Sequence, residues 1–349
     1  MNETLPPSSP SFLPAAGTTG EPVPWASVVI PLRNCRASIG KTLDGLMRQR
    51  VSGPCELILS RDIITDDTLE IIYAHPLASA WKVVEICHPG RGYGQACNLG
   101  WKIARAKYIF FVHSDCYPVS NDTMQQQVDC LERESAVAVK PLVGIPTGDW
   151  EAMSFWDKVT SSQHYRAKPD HNLMGKFDLI RRDALAQVGG FDEEHFYSAG
   201  EDADLAERLL TIGKISAVDT LVIHAHQHPP DAQFKAALRK HTQTGEGSGA
   251  VFRKHWHSPG FLHRAWTIVG VNLLKLVLLV GIFIPPVSLY AAILMLLLAT
   301  YYGRWAMLSR DWRVVLVPFA VSLMFAFFAV GMVRAFIRGR QSFDYIRAG

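Results

Sequence analysis

The sequence predicts an α/β fold, a parallel sheet with helices on both faces, followed by an α-helical membrane region. Three observations carry this reading. From Trp25 onward, short β-branched and aromatic runs alternate with helix-compatible stretches, the pattern of strand–helix–strand units. The last third is nearly free of charge: Lys275 is the only charged side chain between Ala265 and Gly303, and there is none between Val314 and Val333. Across the 349 residues, 48% are hydrophobic and 19% charged. That excludes a disordered chain and leaves room for two domains, or one domain plus membrane segments.

The elements follow in order. Residues 1–24 hold six prolines and no Lys or Arg, so they read as a flexible tail and not as a signal peptide. Ser27-Val28-Val29-Ile30 is the first strand, and Ala37 to Gln49 the first helix. Glu56-Leu57-Ile58-Leu59 and a helix from about Thr65 to Tyr73 come next. Lys82 to Ile86 is a third strand, Tyr93 to Arg105 a helix, and Tyr108 to Val112 a fourth strand. The six cysteines form no C-x-x-C pair, which disfavours a zinc ribbon or a thioredoxin-type site and fits a reducing compartment. With 35 basic and 32 acidic residues the net charge is only +3, too balanced for a nucleic-acid binder without a concentrated patch.

A transmembrane helix needs about 20 apolar residues. The second run meets this, and the first is long enough for two passes with Pro285-Pro286 as the turn. Topology stays open. Arg304, Arg310 and Arg313 lie between the runs, and Arg334, Arg338, Arg340 and Arg347 follow the last. The positive-inside rule wants both clusters in the cytosol, yet one span separates them. Either three spans cross, or the first segment lies in the interface and two cross. The expected organisation is a tail (1–24), an α/β domain (25–230), a basic interfacial region (231–264), two or three transmembrane helices (265–338) and a tail (339–349).

In open α/β sheets ligands bind beyond the carboxyl ends of the strands. Pro31-Leu32-Arg33-Asn34, Asp62 and His113-Ser114-Asp115-Cys116 fall there. A strand-end carboxylate can hold a hard divalent cation on a diphosphate, although an N-cap or turn role is equally open for Asp115 alone. Gly92-Tyr93-Gly94-Gln95-Ala96-Cys97-Asn98-Leu99-Gly100 opens a helix, where glycine permits close backbone approach and the helix start favours anions. Gly189-Gly190-Phe191-Asp192 precedes Glu201-Asp202-Ala203-Asp204-Leu205. A carboxylate at such a helix start, opening on a cleft, can act as a general base.

Taken in order, V-V-I-P-x-x-N, an acidic strand end, G-x-G-x-A-x-N-x-G, a D-x-D-like site, G-G-F-D and E-D-x-D-L resemble the inverting family-2 glycosyltransferases of the GT-A fold, over roughly Trp25 to Trp256. The resemblance implies a GT-A, Rossmann-like nucleotide-diphospho-sugar transferase domain. It implies that Pro31, Arg33 and Asn34 line the nucleotide pocket and that Asp62 contacts the base. Gly94, Asn98 and Ser114 join the donor site, Asp115 binds metal and diphosphate, Asp202 is the catalytic base, and Glu201 positions its helix start. Arg61, Ile63 and Ile64 depart from the family's D-D-G-S, and His113 replaces the first acid of D-x-D. Mg²⁺ or Mn²⁺ is the implied cofactor, with His224 as a further ligand, or a phosphate contact, and His226 and His228 nearby. A metal-independent variant stays open.

The segment from Phe234 to His257 interleaves basic and aromatic residues, which suits an interfacial helix. No Q-x-x-R-W motif precedes the apolar runs, so by resemblance the chain adds single sugars and is not a processive synthase. The implied partners are a UDP- or dTDP-linked sugar donor, a polyprenyl-diphosphate-linked acceptor and a membrane, with no nucleic acid. The implied setting is a bacterial inner membrane, the catalytic domain cytoplasmic, in exopolysaccharide or surface polysaccharide synthesis. Transfer to polyprenyl phosphate, and a non-catalytic scaffold, are the alternatives.

Overall fold

The computed structural model describes residues 22–342, apart from 89, 146, 163–172 and 226–233. Most of both expected tails, His226, His228 and Arg347 lie outside the described residues. One eight-stranded sheet organises the first two thirds: β1 (Ala26–Leu32), β2 (Cys55–Arg61), β3 (Lys82–Cys87), β4 (Tyr108–Val112), β5 (Cys116–Pro118), β6 (Ala138–Gly144), β7 (Phe177–Arg181) and β8 (Ile215–His224), in the order β3-β2-β1-β4-β7-β6-β8-β5.

The first four strands are parallel, β1 pairing with both β2 and β4. Their residues alternate between two cores, as a side-chain period of two requires. Val28, Ile30, Leu57, Leu59, Phe110 and Val112 point to one face. Val29, Ile58, Ile109 and Phe111 point to the other. Burial on both faces is why these strands read as unbroken apolar runs. The helices α1 (Ile39–Met47), α2 (Thr68–Ala74), α3 (Pro76–Ala80) and α5 (Thr123–Arg133) supply partners to the first core. The helices α4 (Tyr93–Ile103), α8 (Arg182–Val188) and α9 (Glu201–Leu209) supply the second.

Beyond β4 the sheet is mixed, where the sequence pattern had indicated a parallel one. β7 runs antiparallel to both β4 and β6, and β5 antiparallel to β8. The physical reason is long-range pairing: β7 joins β4 only after β5, α5 and β6 have intervened in the chain, a choice that local strand–helix alternation does not encode.

After β6 come the short helices α6 (Thr147–Ala152) and α7 (Phe155–Ser161). After β8 come α10 (Phe234–His255), α11 (Pro259–Gly281), α12 (Ser288–Met307), a 3-10 turn (Trp312–Leu316) and α13 (Val317–Arg338). Ser288–Met307 and Trp312–Arg338 are long and apolar enough to cross a membrane, whereas the apolar part of α11, Gly270–Gly281, is shorter. Pro285-Pro286 lies in the α11–α12 turn. α10 packs closely on α13: a Cβ at Gly245 would lie 2.1 Å from the Phe328 carbonyl oxygen.

Candidate active site

The parallel half of the sheet brings the ends of β1, β2 and β4 to one edge. At the first two, Asp62 N donates to Leu32 O at 3.0 Å, and Arg33 Nε lies 3.9 Å from Asp62 Oδ2. Asn34 adopts φ +38°, a left-handed conformation that asparagine tolerates. Its amide is fixed on both sides, accepting from Thr65 N at 2.8 Å and donating to Thr65 Oγ1 at 3.0 Å. Asp62 Oδ1 accepts from Ile63 N at 2.7 Å. Pro31 pairs with Ser60 in the ladder behind them. Arg61, the departure from the family pattern, turns away from this mouth and pairs with Glu85 of β3.

At the end of β4 the chain turns tightly, Cys116 N donating to His113 O at 3.0 Å. The Cys116↔His224 pairing of β5 with β8 then carries His224 beside Asp115. The ligand atoms of His113, Asp115 and His224 all lie within 4.8 Å of one another. Asp115 Oδ2 is 3.2 Å from His224 Nε2, and Asp115 Oδ1 is 3.9 Å from His113 Nδ1. Burial pushes the His113 imidazole down to about 3, so the ring is neutral and its lone pair is free for a metal. Two imidazole nitrogens and one carboxylate are a competent partial donor set for a divalent cation that completes its shell with phosphate oxygens and water. Ser114 contributes its backbone, its carbonyl accepting from Thr42 Oγ1 at 2.9 Å.

Across from this cluster α9 begins at Gly200, which has φ +89°. Glu201 is buried and its Oε2 has no hydrogen-bond partner. Asp202 is more open and accepts from Ala203 N at 2.8 Å. Burial first, and the Asp202 charge second, push the Glu201 carboxyl up to about 8. Burial also raises Asp202, partly offset by the Ala203 N–H and by the Lys176 charge. Lys176 feels the charges of Asp115, Asp178 and Asp202 together, while burial holds it below the ordinary lysine range. Asp178, with Met174 N and Gly175 N on its Oδ2 at 2.8 and 2.6 Å, is raised by burial to about 6.

Residues 27–189 match the family model described as "Glycosyl transferase family 2". The chain carries a glycosyltransferase family 2 domain. Over 112 residues it is 33% identical to "Uncharacterized glycosyltransferase EpsJ" of Bacillus subtilis, a match covering 32% of this chain and 31% of that protein. The chain therefore spans about a third of this curated relative. Among solved structures, the mannosyltransferase PcManGT from Pyrobaculum calidifontis, in complex with GDP-Man and Mn²⁺, superposes with a TM-score of 0.56 at 17% identity. That match covers 89% of this chain and 87% of the other. TarS of S. aureus gives a TM-score of 0.47 at 15% identity, covering 88% and 55%. The family match and the PcManGT likeness bear out the GT-A fold expected from the motifs.

Around the sheet the structure gathers Arg33, Asn34 and Asp62 at one mouth, His113, Asp115 and His224 at a second point, and Glu201 and Asp202 at a third, with Glu201, Asp202 and His224 beyond the residues that the family model matches. Gly94 joins α4 to the last of these: a Cβ there would sit 3.9 Å from Glu201 Cβ. Asn98 lies deeper. Its Nδ2 donates to Phe191 O and Glu193 Oε1, and its Oδ1 accepts from Phe191 N and Trp101 Nε1. It braces the G-G-F-D turn. Sequence reasoning missed Lys176 and Asp178. The signal was faint, a charged residue on each side of Phe177 in a strand that reads as core.

Proposed function

We propose that this chain moves one sugar from a nucleotide-diphosphate donor to a lipid-linked acceptor, a polyprenyl-diphosphate saccharide, with inversion at the anomeric carbon. The setting is bacterial polysaccharide assembly, with the catalytic domain at the cytoplasmic face of the inner membrane. The observation that supports this reading is the cluster of His113, Asp115 and His224, whose ligand atoms all lie within 4.8 Å of one another, beside the segment whose Gly175 and Asp178 line one pocket with Asp202.

In this reading the nucleotide lies along Pro31 to Asn34 and Asp62, and its diphosphate reaches Asp115. His113, Asp115 and His224 would hold the divalent cation, which as a Lewis acid neutralises charge on the leaving diphosphate. Their two imidazoles suit Mn²⁺ better than Mg²⁺, which prefers oxygen. PcManGT, of similar fold, carries GDP-Man and Mn²⁺, in line with a nucleotide sugar and this metal. Asp202 removes the acceptor hydroxyl proton as the acceptor oxygen bonds to the anomeric carbon and the bond to the diphosphate oxygen breaks. Glu201, held neutral beside it, lets Asp202 carry the single negative charge. Lys176 favours that ionised form.

The test is donor turnover by the purified full chain over a panel of UDP-, GDP- and dTDP-sugars, with Mn²⁺, Mg²⁺ or EDTA, in the presence of lipid extract. Turnover of one donor, lost in Asp202→Asn, is expected. Silence across the panel would overturn the reading.

A further inference from the structure

We propose that α11, α12 and α13 do not cross the bilayer but form a platform that lies on one leaflet, with the catalytic domain above it. This rests on the membrane-facing role proposed above and concerns only how the chain meets lipid.

The first observation is the pairing of α10 with α13. Each helix has 22 residues, about 33 Å of length. Phe234 and Leu238, at the start of α10, pack in the cluster that holds Val321 and Phe325 of α13. Midway, Cβ atoms on Gly245 and Gly249 would each sit 2.1 Å from a carbonyl oxygen of α13, those of Phe328 and Met332. Near the ends, the Phe252 and Phe336 rings are 5.7 Å apart. The two helices thus run side by side in the same direction. α10 exposes Lys235, Arg239, Lys240 and Arg253. A spanning α13 would draw that basic face into hydrocarbon, where charged side chains are costly and rare.

The second observation is that both ends of α13 rest on the catalytic domain. Past its C-terminus, Gln341 Oε1 accepts from Tyr197 N at 3.0 Å and Ser198 N at 3.1 Å, and Gln341 N donates to His195 O at 3.0 Å. At its N-terminus, Val317 and Val321 pack with Phe155 and Val159 of α7. Arg313, in the 3-10 turn just before it, lies 4.8 Å over the Phe155 ring, and Trp305 N, near the end of α12, donates to Ser162 Oγ at 3.2 Å. A helix crossing a hydrocarbon core of about 30 Å must hold its ends on opposite sides. Here segments of the first two thirds of the chain hold both, α7, which follows β6, at one end and the loop before α9 at the other.

The surface left over selects the occupant. Val277, Val280, Leu289, Leu297, Phe319 and Ile337 are all exposed along α11–α13, and Phe283 at the α11–α12 turn is 79% exposed. So large an apolar area is a contact surface, not a solvated one. Exposed arginines stand at both ends of α13, Arg310 at one and Arg334, Arg338 and Arg340 at the other. Trp312 and Tyr301 are exposed near the first. Basic and aromatic residues around an apolar face match an anionic leaflet. Lying flat also removes the topology conflict in the sequence, because both arginine clusters then face the same side. The layer ends at Tyr197–Ser198, three residues before Glu201, so a lipid-borne acceptor would meet the base where the platform stops.

The exposed native Cys87 reports the side of the catalytic domain. Ser309→Cys and Arg340→Cys, placed singly in the full chain, report the two ends of α13. Right-side-out and inverted membrane vesicles from expressing cells are treated with an impermeant polyethylene-glycol maleimide, and labelling is read as a mass shift. In the platform, each variant gains one further shift in the vesicles where Cys87 reacts, and loses both shifts together in the other preparation. Labelling of Ser309→Cys only where Cys87 and Arg340→Cys are protected would mean that α13 spans, and would overturn the proposal. Recovery of the chain in the soluble fraction, or as a soluble dimer, would overturn it in favour of another occupant. Cell-free synthesised chain should also float with vesicles of equal parts phosphatidylglycerol and phosphatidylethanolamine, at least about tenfold more than with phosphatidylcholine; equal flotation would overturn the anionic match. Glycosyl transfer is assayed separately, so an inactive chain with platform labelling would sink the proposed reaction and leave this inference standing.

Discussion

Asp202 and Glu201 are neighbours in sequence whose environments separate their roles. Glu201 is buried with an unpartnered oxygen, whereas Asp202 is more open and feels the Lys176 charge. If Asp202 is the base, Asp202→Asn lowers kcat by about 10² to 10⁴-fold, read from initial rates at saturating donor, with the protein still folded by circular dichroism. Glu201 makes a different prediction. Its carboxyl ordinarily titrates near 4.5 and is raised to about 8. The native state therefore binds the extra proton, and stability is full below about 4.5 and falls as pH rises toward about 8. Glu201→Gln should flatten that decline in Tm between acidic and mildly alkaline buffer, and remove an alkaline transition near 8 from the kcat/KM profile. A profile unchanged by the substitution would mean that Glu201 does not titrate there. Asp115→Asn should weaken Mn²⁺ binding, followed by isothermal calorimetry, by tenfold or more, since it removes the only carboxylate of the triad. Asp115, Asp202 and His224 were legible because each sits at a strand end or helix start, where backbone geometry exposes a side chain to a cleft. Lys176 and Asp178 were not, because nothing in Met174-Gly175-Lys176-Phe177-Asp178 announces that β7 runs reversed beside β4 and so begins at the site.

The elements β1 to β4 and the helices between them could be read from the sequence because local and tertiary preferences agree there. Val28-Val29-Ile30 and Phe110-Phe111-Val112 are β-branched or aromatic, and both faces are buried. The reversal at β7 and the edge strand β5 depend on long-range pairing that no local pattern encodes. The close packing of α10 on α13 was equally hidden, since Gly245 and Gly249 read as a weak helix when the partner is unknown. Their role is to let two backbones approach. Gly249→Ala would place a Cβ 2.1 Å from the Met332 carbonyl oxygen, and backbone cannot yield as a flexible side chain can. Overpacking of this kind costs about 1–3 kcal/mol. The expected outcome is a lower Tm in detergent, without a change in Mn²⁺ affinity. An unchanged Tm would mean that the two helices do not pack this closely.

At the scale of the whole molecule, the C-terminal helices act as a brace on α9, the helix that carries Asp202. Asp204, one turn into α9, is fully buried and meets Arg208 at 2.7 Å, Lys254 at 2.7 Å and His255 at 2.8 Å. Burial alone would raise its carboxyl, but the His255 hydrogen bond and the Arg208 and Lys254 charges hold it below the ordinary range. α10 is thereby pinned to α9, and α13 is pinned to the loop before it by Gln341. That side chain is 2% exposed, and its oxygen satisfies the amides of Tyr197 and Ser198, at 3.0 and 3.1 Å, while Nε2 donates to Gln243 O at 3.2 Å. Gln341→Met keeps the volume and removes these bonds. Two backbone N–H groups lose their acceptor, and each unsatisfied buried donor costs about 1–3 kcal/mol. The Tyr197–Gly200 loop sets where α9 begins, and a misplacement of about 1 Å can cost about 10²-fold in rate. The expected result is a fall in kcat/KM for the acceptor of tenfold to about a hundredfold, with Mn²⁺ affinity at the His113–Asp115–His224 triad unchanged and with Gln243→Met, which leaves the Gln341 oxygen in place, milder. Equal loss of metal binding would place the damage in global folding. A wild-type rate would show that α9 holds its position without the C-terminal brace.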